Sequence, residues 1–404
     1  MRVKKWNCFI FWLLRNTAGV IFRLIYHFKC NKYKLDKHKP YIILANHTAQ
    51  IDPILVSTSF NRAIHYVMLD IITESKYGKL IQFFFNPIPK TKDIVDIKAV
   101  RNIHEIISQN GVVGLFPSGD CTVTGIESQI DPSIAKLLKK INAEVLLYRT
   151  YGLYGVRPRF SNKRRKGKTE GKVVDKITVE ELATLSSEEI YSRITNSLYC
   201  NQVEENTQKF KSKNSAEYLE KVLYVCPDCY SLNSLESSGN IIRCKKCGFS
   251  ASYTEDLHFK RENHNDIEKT NDLNTVEEWI KFEKDLSIDF VRKAYDPYDA
   301  QSNKIILTDD IKCLEFRKRR RRRSRSIRRF RNGYITLYSN RIEIYKDMKI
   351  INIPLKNAIL SYQMRSVLVI YTQDEVYKVF GKDRFNALKY LHFVDTMKEN
   401  GMIR

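Results

Sequence analysis

Between residues 33 and 200 of this chain, short apolar runs alternate with amphipathic stretches, and that rhythm restricts the fold more than anything else in the sequence. Tyr41-Ile-Ile-Leu-Ala45 reads as a buried strand, and Val112-Val-Gly-Leu-Phe116 reads the same way. Ala63–Leu69, Glu144–Tyr148 and a stretch near Lys172–Ile177 read as further strands. Pro53–Phe60, residues 93–109, Ser133–Ile141 and Ser187–Leu198 carry helical spacing between and after them. Strands alternating with helices imply an α/β domain over residues 31–200, with a largely parallel sheet flanked by helices. Residues 1–30 precede it as a separate helical segment.

The rhythm stops near residue 200. Residues 201–220 are polar and charged without apolar periodicity, and read as a linker. A cysteine-rich module follows over 221–255. Cys226-Pro-Asp-Cys229 and Cys244-Lys-Lys-Cys247 lie fourteen residues apart, the spacing of a four-cysteine zinc ribbon. Four thiolates leave no open coordination position, so the one zinc ion expected here is structural; redox-active or unligated thiols are the alternative. Short strands are expected at Val222–Val225 and Ile241–Arg243. Residues 256–302 read as linker plus an amphipathic helix over about 275–294. From 303 to 404 the period changes to two, implying a small antiparallel β-domain closed by a helix over Asp383–Lys398. That pattern resembles a pleckstrin-homology or GRAM module. Eleven cations fall within Arg317–Arg331, placed as a long hairpin loop between early strands. As in the basic loops of such modules, each cation near an anionic leaflet would contribute about 1 kcal/mol. A solvated loop or a nucleic-acid tract are the competing readings.

Asn46-His-Thr-Ala-Gln-Ile-Asp52 directly follows the first buried strand, and Asp52-Pro53 is a helix-start signature. On one helix, residues five apart point about 140° away from each other. A strand-end His and a helix-start Asp can instead be folded together by the intervening turn. Simple capping by Asp52 and a buried imidazole at His47 are the plain alternatives. The segment resembles the first motif of the glycerolipid acyltransferases, the 1-acylglycerol-3-phosphate acyltransferases and their relatives: Asn-His, four residues, Asp. The resemblance covers roughly residues 20–200. It implies that His47 is the general base for an acceptor hydroxyl and that Asp52 orients and charges the imidazole. The hydroxyl then attacks the thioester of acyl-CoA or acyl-carrier protein. Asn46 and Gly119 are implied as groups that steady the oxyanion. Lys90, ending Phe85-Asn-Pro-Ile-Pro-Lys90, stands where the family's second motif ends in Arg. Phe116-Pro-Ser-Gly-Asp-Cys-Thr122 stands where the family has Phe-Pro-Glu-Gly-Thr/Asn-Arg-Ser. Ser118 and Cys121 thus replace the charged Glu and Arg, while the strand, Phe-Pro, Gly119 and the Thr122 hydroxyl keep the framework; Asn46, Lys90, Ser118, Gly119, Asp120, Thr122 and Arg149 are the candidate substrate-binding residues. Val145–Gly152 resembles the fourth motif, with Arg149 just after its strand. Replacement charge for a phosphate is available from Lys90, Arg149, Arg157 and Arg159. Cys121 offers a thiol, but the sequence identifies no partner for it.

Charge agrees with a lipid setting. The chain carries 69 Lys and Arg against 46 Asp and Glu, a net +23, which favours anionic partners. Nine cysteines, four of them in the paired knuckles, argue for a reducing compartment. At the N-terminus the longest uncharged run is nine residues, ended by Arg15, short of the ~20 a spanning helix needs. Trp6, Phe9, Phe11, Trp12, Leu13 and Phe22 with Arg15, Arg23 and Lys29 fit an interfacial helix instead. The expectation is an O-acyltransferase of phospholipid biosynthesis, peripheral or monotopic on the cytoplasmic face of a membrane. Its partners would be membrane lipids and anionic headgroups, with acyl-carrier protein a further candidate and nucleic acid not favoured. The alternative is a catalytically weakened relative that binds anionic membrane or a partner.

Overall fold

The computed structural model describes residues 3, 5–73, 78–91, 96–262, 273–294, 304–318, 326–346, 348–363, 366–382 and 384–403. The chain divides into two compact units: residues 1–159 with 164–211, and residues 160–163 with 212–404.

The first unit opens with α1 (Lys5–Asn16) and α2 (Ala18–Ile25), then β1 (Phe28–Cys30) and β2 (Tyr41–Ala45). It continues with α3 (Asp52–Ser57), β3 (His65–Leu69), α4 (Asp70–Thr73), α5 (Gly78–Phe85), β4 (Ile88–Lys90), α6 (Ile97–Ile107) and β5 (Val112–Leu115). It closes with α7 (Ser133–Lys139), β6 (Glu144–Tyr151), α8 (Leu153–Val156), β7 (Thr169–Ile177), α9 (Val179–Thr184) and α10 (Ser187–Leu198). The strand order is β1-β7-β6-β2-β5-β3-β4, parallel except for β6 against β7. β2 is therefore the middle strand of seven, and all five of its residues are buried. Its side chains alternate between two cores. Ile42 and Leu44 join the cluster under α6, α7 and α10, while Tyr41, Ile43 and Ala45 join Val56, Phe60, Tyr66 and Tyr148 on the other face. α9 and α10 are set by capping boxes, Thr178 with Glu181 and Ser186 with Glu189. α10 buries Ile190, Ile194 and Leu198 at four-residue spacing, each contributing roughly 2 kcal/mol.

Several elements depart from the sequence reading. Residues 93–95 of the expected 93–109 helix lie outside the described residues. α5 and β4 were not anticipated, because Gly78–Lys90 has no clean period. Residues 201–220 are not a free spacer, since Val203, Phe210, Ala216 and Leu219 are all buried. The N-terminal segment is two helices interrupted at Thr17 rather than one, and the Trp6 side chain is not described. Counted across that break, Cys8–Ile25 has a mean hydropathy of 1.5 over 18 residues, enough by length and composition to cross a membrane.

The second unit combines a ribbon, a long helix and a β-sheet. β8 (Leu235–Ser238), β9 (Ile241–Cys244), β10 (Ser250–Tyr253) and β11 (Phe259–Arg261) form an antiparallel four-stranded sheet. Val222–Val225 is not a strand and makes only a single bridge, Val225 to Leu232. α11 (Val276–Ala294) follows. Residues 263–272 and 295–303 of the expected linkers lie outside the described residues. β12 (Leu307–Lys318), β13 (Ser326–Leu337), β14 (Arg341–Lys346), β15 (Lys349–Pro354), β16 (Ile359–Gln363), β17 (Val367–Tyr371), β18 (Glu375–Gly381) and α12 (Ala387–Glu399) complete the chain. The sheet order is β15-β14-β13-β12-β18-β17-β16, antiparallel throughout. The arginine-rich run spans the β12–β13 hairpin, and its tip, 319–325, lies outside the described residues.

Polar groups buried between these parts are paired. Trp279 of α11 donates to the Val225 carbonyl at 2.9 Å, and Glu283 accepts the Val225 N–H at 2.8 Å. Lys389 of α12 is fully buried and donates to Asp309 of β12 at 2.6 Å and to Asn233 at 2.8 Å. Tyr390 completes the set by donating to Asp309 at 2.7 Å. Removing the lysine would leave the partly buried Asp309 with the Tyr390 hydroxyl and no cation. Lys389→Met is thus expected to destabilise this unit by about 1–3 kcal/mol; a denaturation midpoint matching wild type would show that the pair contributes nothing.

Candidate functional site

β2 releases the chain at the carboxyl end of the central strand, the edge where open α/β sheets place their sites. Asn46 and His47 come first, and the turn from Thr48 to Ile51 leads into α3, whose first residue is Asp52. The turn brings the pair together: His47 Nδ1 donates to Asp52 Oδ2 at 2.9 Å. The same buried oxygen accepts the Thr48 and Ala49 N–H groups at 2.7 and 2.9 Å. With Nδ1–H committed to the carboxylate, Nε2 is the nitrogen left to exchange protons. Burial opposes the charged ring. The neighbouring Cys121 and the hydrogen bond and charge of Asp52 outweigh it, holding His47 well above its ordinary value.

The loop after β5 supplies the other wall. Phe116 stacks on the His47 ring at 4.3 Å, and Tyr66 stacks on Phe116 at 5.7 Å. Gly119 turns the loop with φ of +78°, a conformation that glycine adopts without strain. The Thr122 N–H donates to the His47 carbonyl at 2.9 Å, and the Thr122 hydroxyl accepts the Gly125 N–H at 3.0 Å. These bonds bring Cys121 Sγ to 3.3 Å from His47 Nε2. Arg159 braces the loop from outside, donating to the Cys121 carbonyl and lying 3.8 Å from Asp120. Glu127 holds the histidine from behind, its two oxygens accepting the His47 N–H at 3.3 and 3.1 Å. Burial pushes the Glu127 carboxyl up to about 7, against the Ser118 hydroxyl and the His47 N–H, which pull it down.

In the second unit the four knuckle cysteines converge. Their sulfurs all lie within 4.8 Å of one another, with Cys226 to Cys247 at 3.6 Å and Cys229 to Cys244 at 3.7 Å. A tetrahedron of thiolates about 2.3 Å from a zinc ion has edges of about 3.8 Å, so the donor set fits that metal. The Ser231 and Ser234 hydroxyls sit 3.0 and 3.1 Å from Cys229 and Cys244 Sγ. Asp228 between the first two thiols is held by Arg261 at 2.6 Å.

Residues 27–147 match the acyltransferase family model, a span that contains His47, Asp52 and Cys121. The first unit carries an acyltransferase-family domain. Residues 219–253 match a zinc-ribbon model described as DNA directed RNA polymerase, 7 kDa subunit. No curated protein matches the chain. Among solved structures, it is similar to the 1-acyl-sn-glycerophosphate acyltransferase PlsC from Thermotoga maritima, at 16% identity over 46% of this chain and 76% of that one, with a TM-score of 0.39. Slighter likenesses are to the Vav1 exchange factor with its PH and C1 domains (14% identity, 31% of this chain and 35% of that one, TM-score 0.18) and to the N-terminal PH domain of human ARAP2 (12%, 26% and 87%, TM-score 0.18).

Not every residue singled out by the family resemblance lies beside His47 and Asp52. Asn46 is spent on Thr150, donating to its carbonyl at 3.0 Å and accepting its N–H at 2.8 Å. It fastens β2 to β6 instead of facing a substrate oxygen. Arg149 is committed to Glu205 through bonds of 3.0 and 2.8 Å and lies over the Tyr151 ring. Lys90 is exposed at the end of edge strand β4, with β5 and β3 between it and β2, roughly 14 Å by strand spacing. Arg159, one of four cations available by sequence, is the one bound to the Cys121 loop. Glu127 went unnoticed in the sequence, since it sits in a polar loop without a motif. Folding raises its carboxyl from an ordinary 4.5 to about 7, so the folded chain binds that proton more tightly, and stability falls as pH rises across this window. Glu127→Gln, neutral throughout, is expected to flatten that part of the profile of Tm against pH. An unchanged slope from about pH 5 to 7 would mean another group is responsible.

Proposed function

We propose that this chain is an O-acyltransferase that moves an acyl group from a thioester, acyl-CoA or acyl-carrier protein, to the hydroxyl of a lysophospholipid-like acceptor. The observation that carries this reading is the His47–Asp52 contact at 2.9 Å, placed at the carboxyl end of the central strand in an acyltransferase-family domain. Asp52 fixes the ring and stabilises the charge it gains. In its neutral form, the minor one at neutral pH because the ring is held above its ordinary value, His47 Nε2 removes the acceptor's proton as its oxygen attacks the thioester carbonyl, and returns a proton to the departing thiolate. Arg159 brings a cation to the loop where the family resemblance places Arg, though its guanidinium is engaged with the Cys121 carbonyl and beside Asp120.

A membrane setting is supported by the exposed apolar side chains of the same unit. Phe9, Trp12, Leu13, Ile21 and Leu24 on the first two helices are exposed, as are Leu80, Phe83 and Phe85 on α5. So much uncovered apolar surface fits insertion at the headgroup boundary, on the cytoplasmic face by the sequence reading. A zinc ion held by Cys226, Cys229, Cys244 and Cys247 would tie the two knuckles together and stabilise the fold without touching the chemistry.

The deciding experiment follows thioester consumption with lysophosphatidate and related acceptors in vesicles. His47→Ala is expected to lower turnover by at least about 100-fold. Equal turnover in both proteins would sink the mechanism, and vesicle binding without turnover in either would point to a silent relative. Separately, metal analysis of the purified chain is expected to find one zinc per molecule, lost together with thermal stability in Cys244→Ser; a metal-free protein of unchanged Tm would exclude the structural zinc.

A further inference from the structure

We propose that Cys121 is a nucleophile that carries the acyl chain as a thioester between donor and acceptor, working as a Cys121–His47–Asp52 relay. This rests on the acyl-transfer reading above and changes its route from direct transfer to two half-reactions.

The geometry is that of an activated thiol. Cys121 Sγ lies against the His47 ring, 3.3 Å from Nε2 and 3.6 Å from Nδ1, and Nδ1 is bonded to Asp52 at 2.9 Å. A nucleophile, a base and a group orienting that base therefore follow one another in hydrogen-bond contact. The contact is built by the loop. Thr122, next in sequence to the thiol, donates its N–H to the His47 carbonyl at 2.9 Å, and Arg159 holds the Cys121 carbonyl. Phe116 stacks on the ring and limits its rotation. Cys121 itself is buried, 9% exposed, within the site. Once the sulfur is acylated it no longer donates to Nε2, and that nitrogen becomes available to the acceptor.

The chemistry balances without a further reagent. In the first half, His47 Nε2 takes the Cys121 proton and the thiolate attacks the donor's carbonyl carbon. A new C–S bond forms, the donor's C–S bond breaks, and the departing thiolate leaves with the proton from His47. One thioester replaces another, so this step is close to balanced in energy. In the second half, Nε2 takes the proton of the acceptor hydroxyl and its oxygen attacks the Cys121 acyl carbon. The C–O bond forms, the C–S bond breaks, and Cys121 recovers its proton from the imidazolium. Such a route predicts ping-pong kinetics.

The test uses the full chain with palmitoyl-CoA and no acceptor, quenched early and read by intact mass and peptide mapping. The expected result is a single palmitoyl adduct on Cys121, cleaved by neutral hydroxylamine and discharged when lysophosphatidate is added. The adduct should be absent in Cys121→Ser and at least ten-fold slower to form in His47→Ala, which keeps the thiol. Wild-type protein that acylates lysophosphatidate yet never carries the chain on Cys121 overturns the proposal and leaves the acyl-transfer reading standing. Adduct formation at the same rate in His47→Ala also overturns it, by showing uncatalysed labelling. An adduct on Cys121 that no hydroxyl acceptor discharges supports the nucleophile and removes the acyl-transfer reading instead.

Discussion

One carboxylate oxygen organises the His47 end of the first unit. Asp52 Oδ2 receives the His47 ring and two successive backbone N–H groups within 2.9 Å, in a setting with no access to water. Those three donors define the turn between β2 and α3, so the segment that orients the histidine also starts the helix. Losing the carboxylate would leave two backbone donors and an imidazole nitrogen buried together without an acceptor, each costing about 1–3 kcal/mol. The central position of β2, buried on both faces, gives this turn a rigid base.

Around that pair, the loop after β5 trades one kind of chemistry for another. The family resemblance places an arginine where this chain has Cys121, and an arginine would present a fork of donors to a phosphate. The thiol presents none, and turns toward the histidine. A cation is nevertheless kept at the loop: Arg159 reaches it from a distant part of the chain, bonding the Cys121 carbonyl and approaching Asp120. The substitution therefore relocates positive charge and adds a sulfur within bonding distance of the base. Glu127, half-neutral near pH 7, completes the shell by holding the His47 backbone.

The second unit is built on a different principle. Its four thiols close on one point, while Trp279, Glu283, Lys389 and Asp309 pair the polar groups that packing has buried. A ribbon this small has little apolar core of its own, so clamping by α11, with a metal ion on the four thiols as proposed, would supply what hydrophobic burial cannot.

The residues alone determined the elements whose patterns are local. Tyr41–Ala45 and Val367–Tyr371 are strands because continuous apolar runs have to be covered on both faces, and Ser187–Leu198 is a helix because Ser186 and Glu189 cap it. The spacing of the four cysteines and of His47 and Asp52 was equally legible, because each set is brought together by one short turn or by one ribbon. The mixed stretches Gly78–Lys90 and Ile359–Gln363 were not, since neither keeps a helical or a strand period. Nor could the sequence show that Asn46 and Arg149 are consumed by Thr150 and Glu205, partners 104 and 56 residues away. The contact between Cys121 and His47 belongs to the same class. Its two residues are 74 apart, and no periodicity encodes a meeting that depends on β5 lying beside β2. Only the tertiary structure decided it, because parallel neighbours in a sheet are chosen by packing across the whole domain and not by the strands themselves.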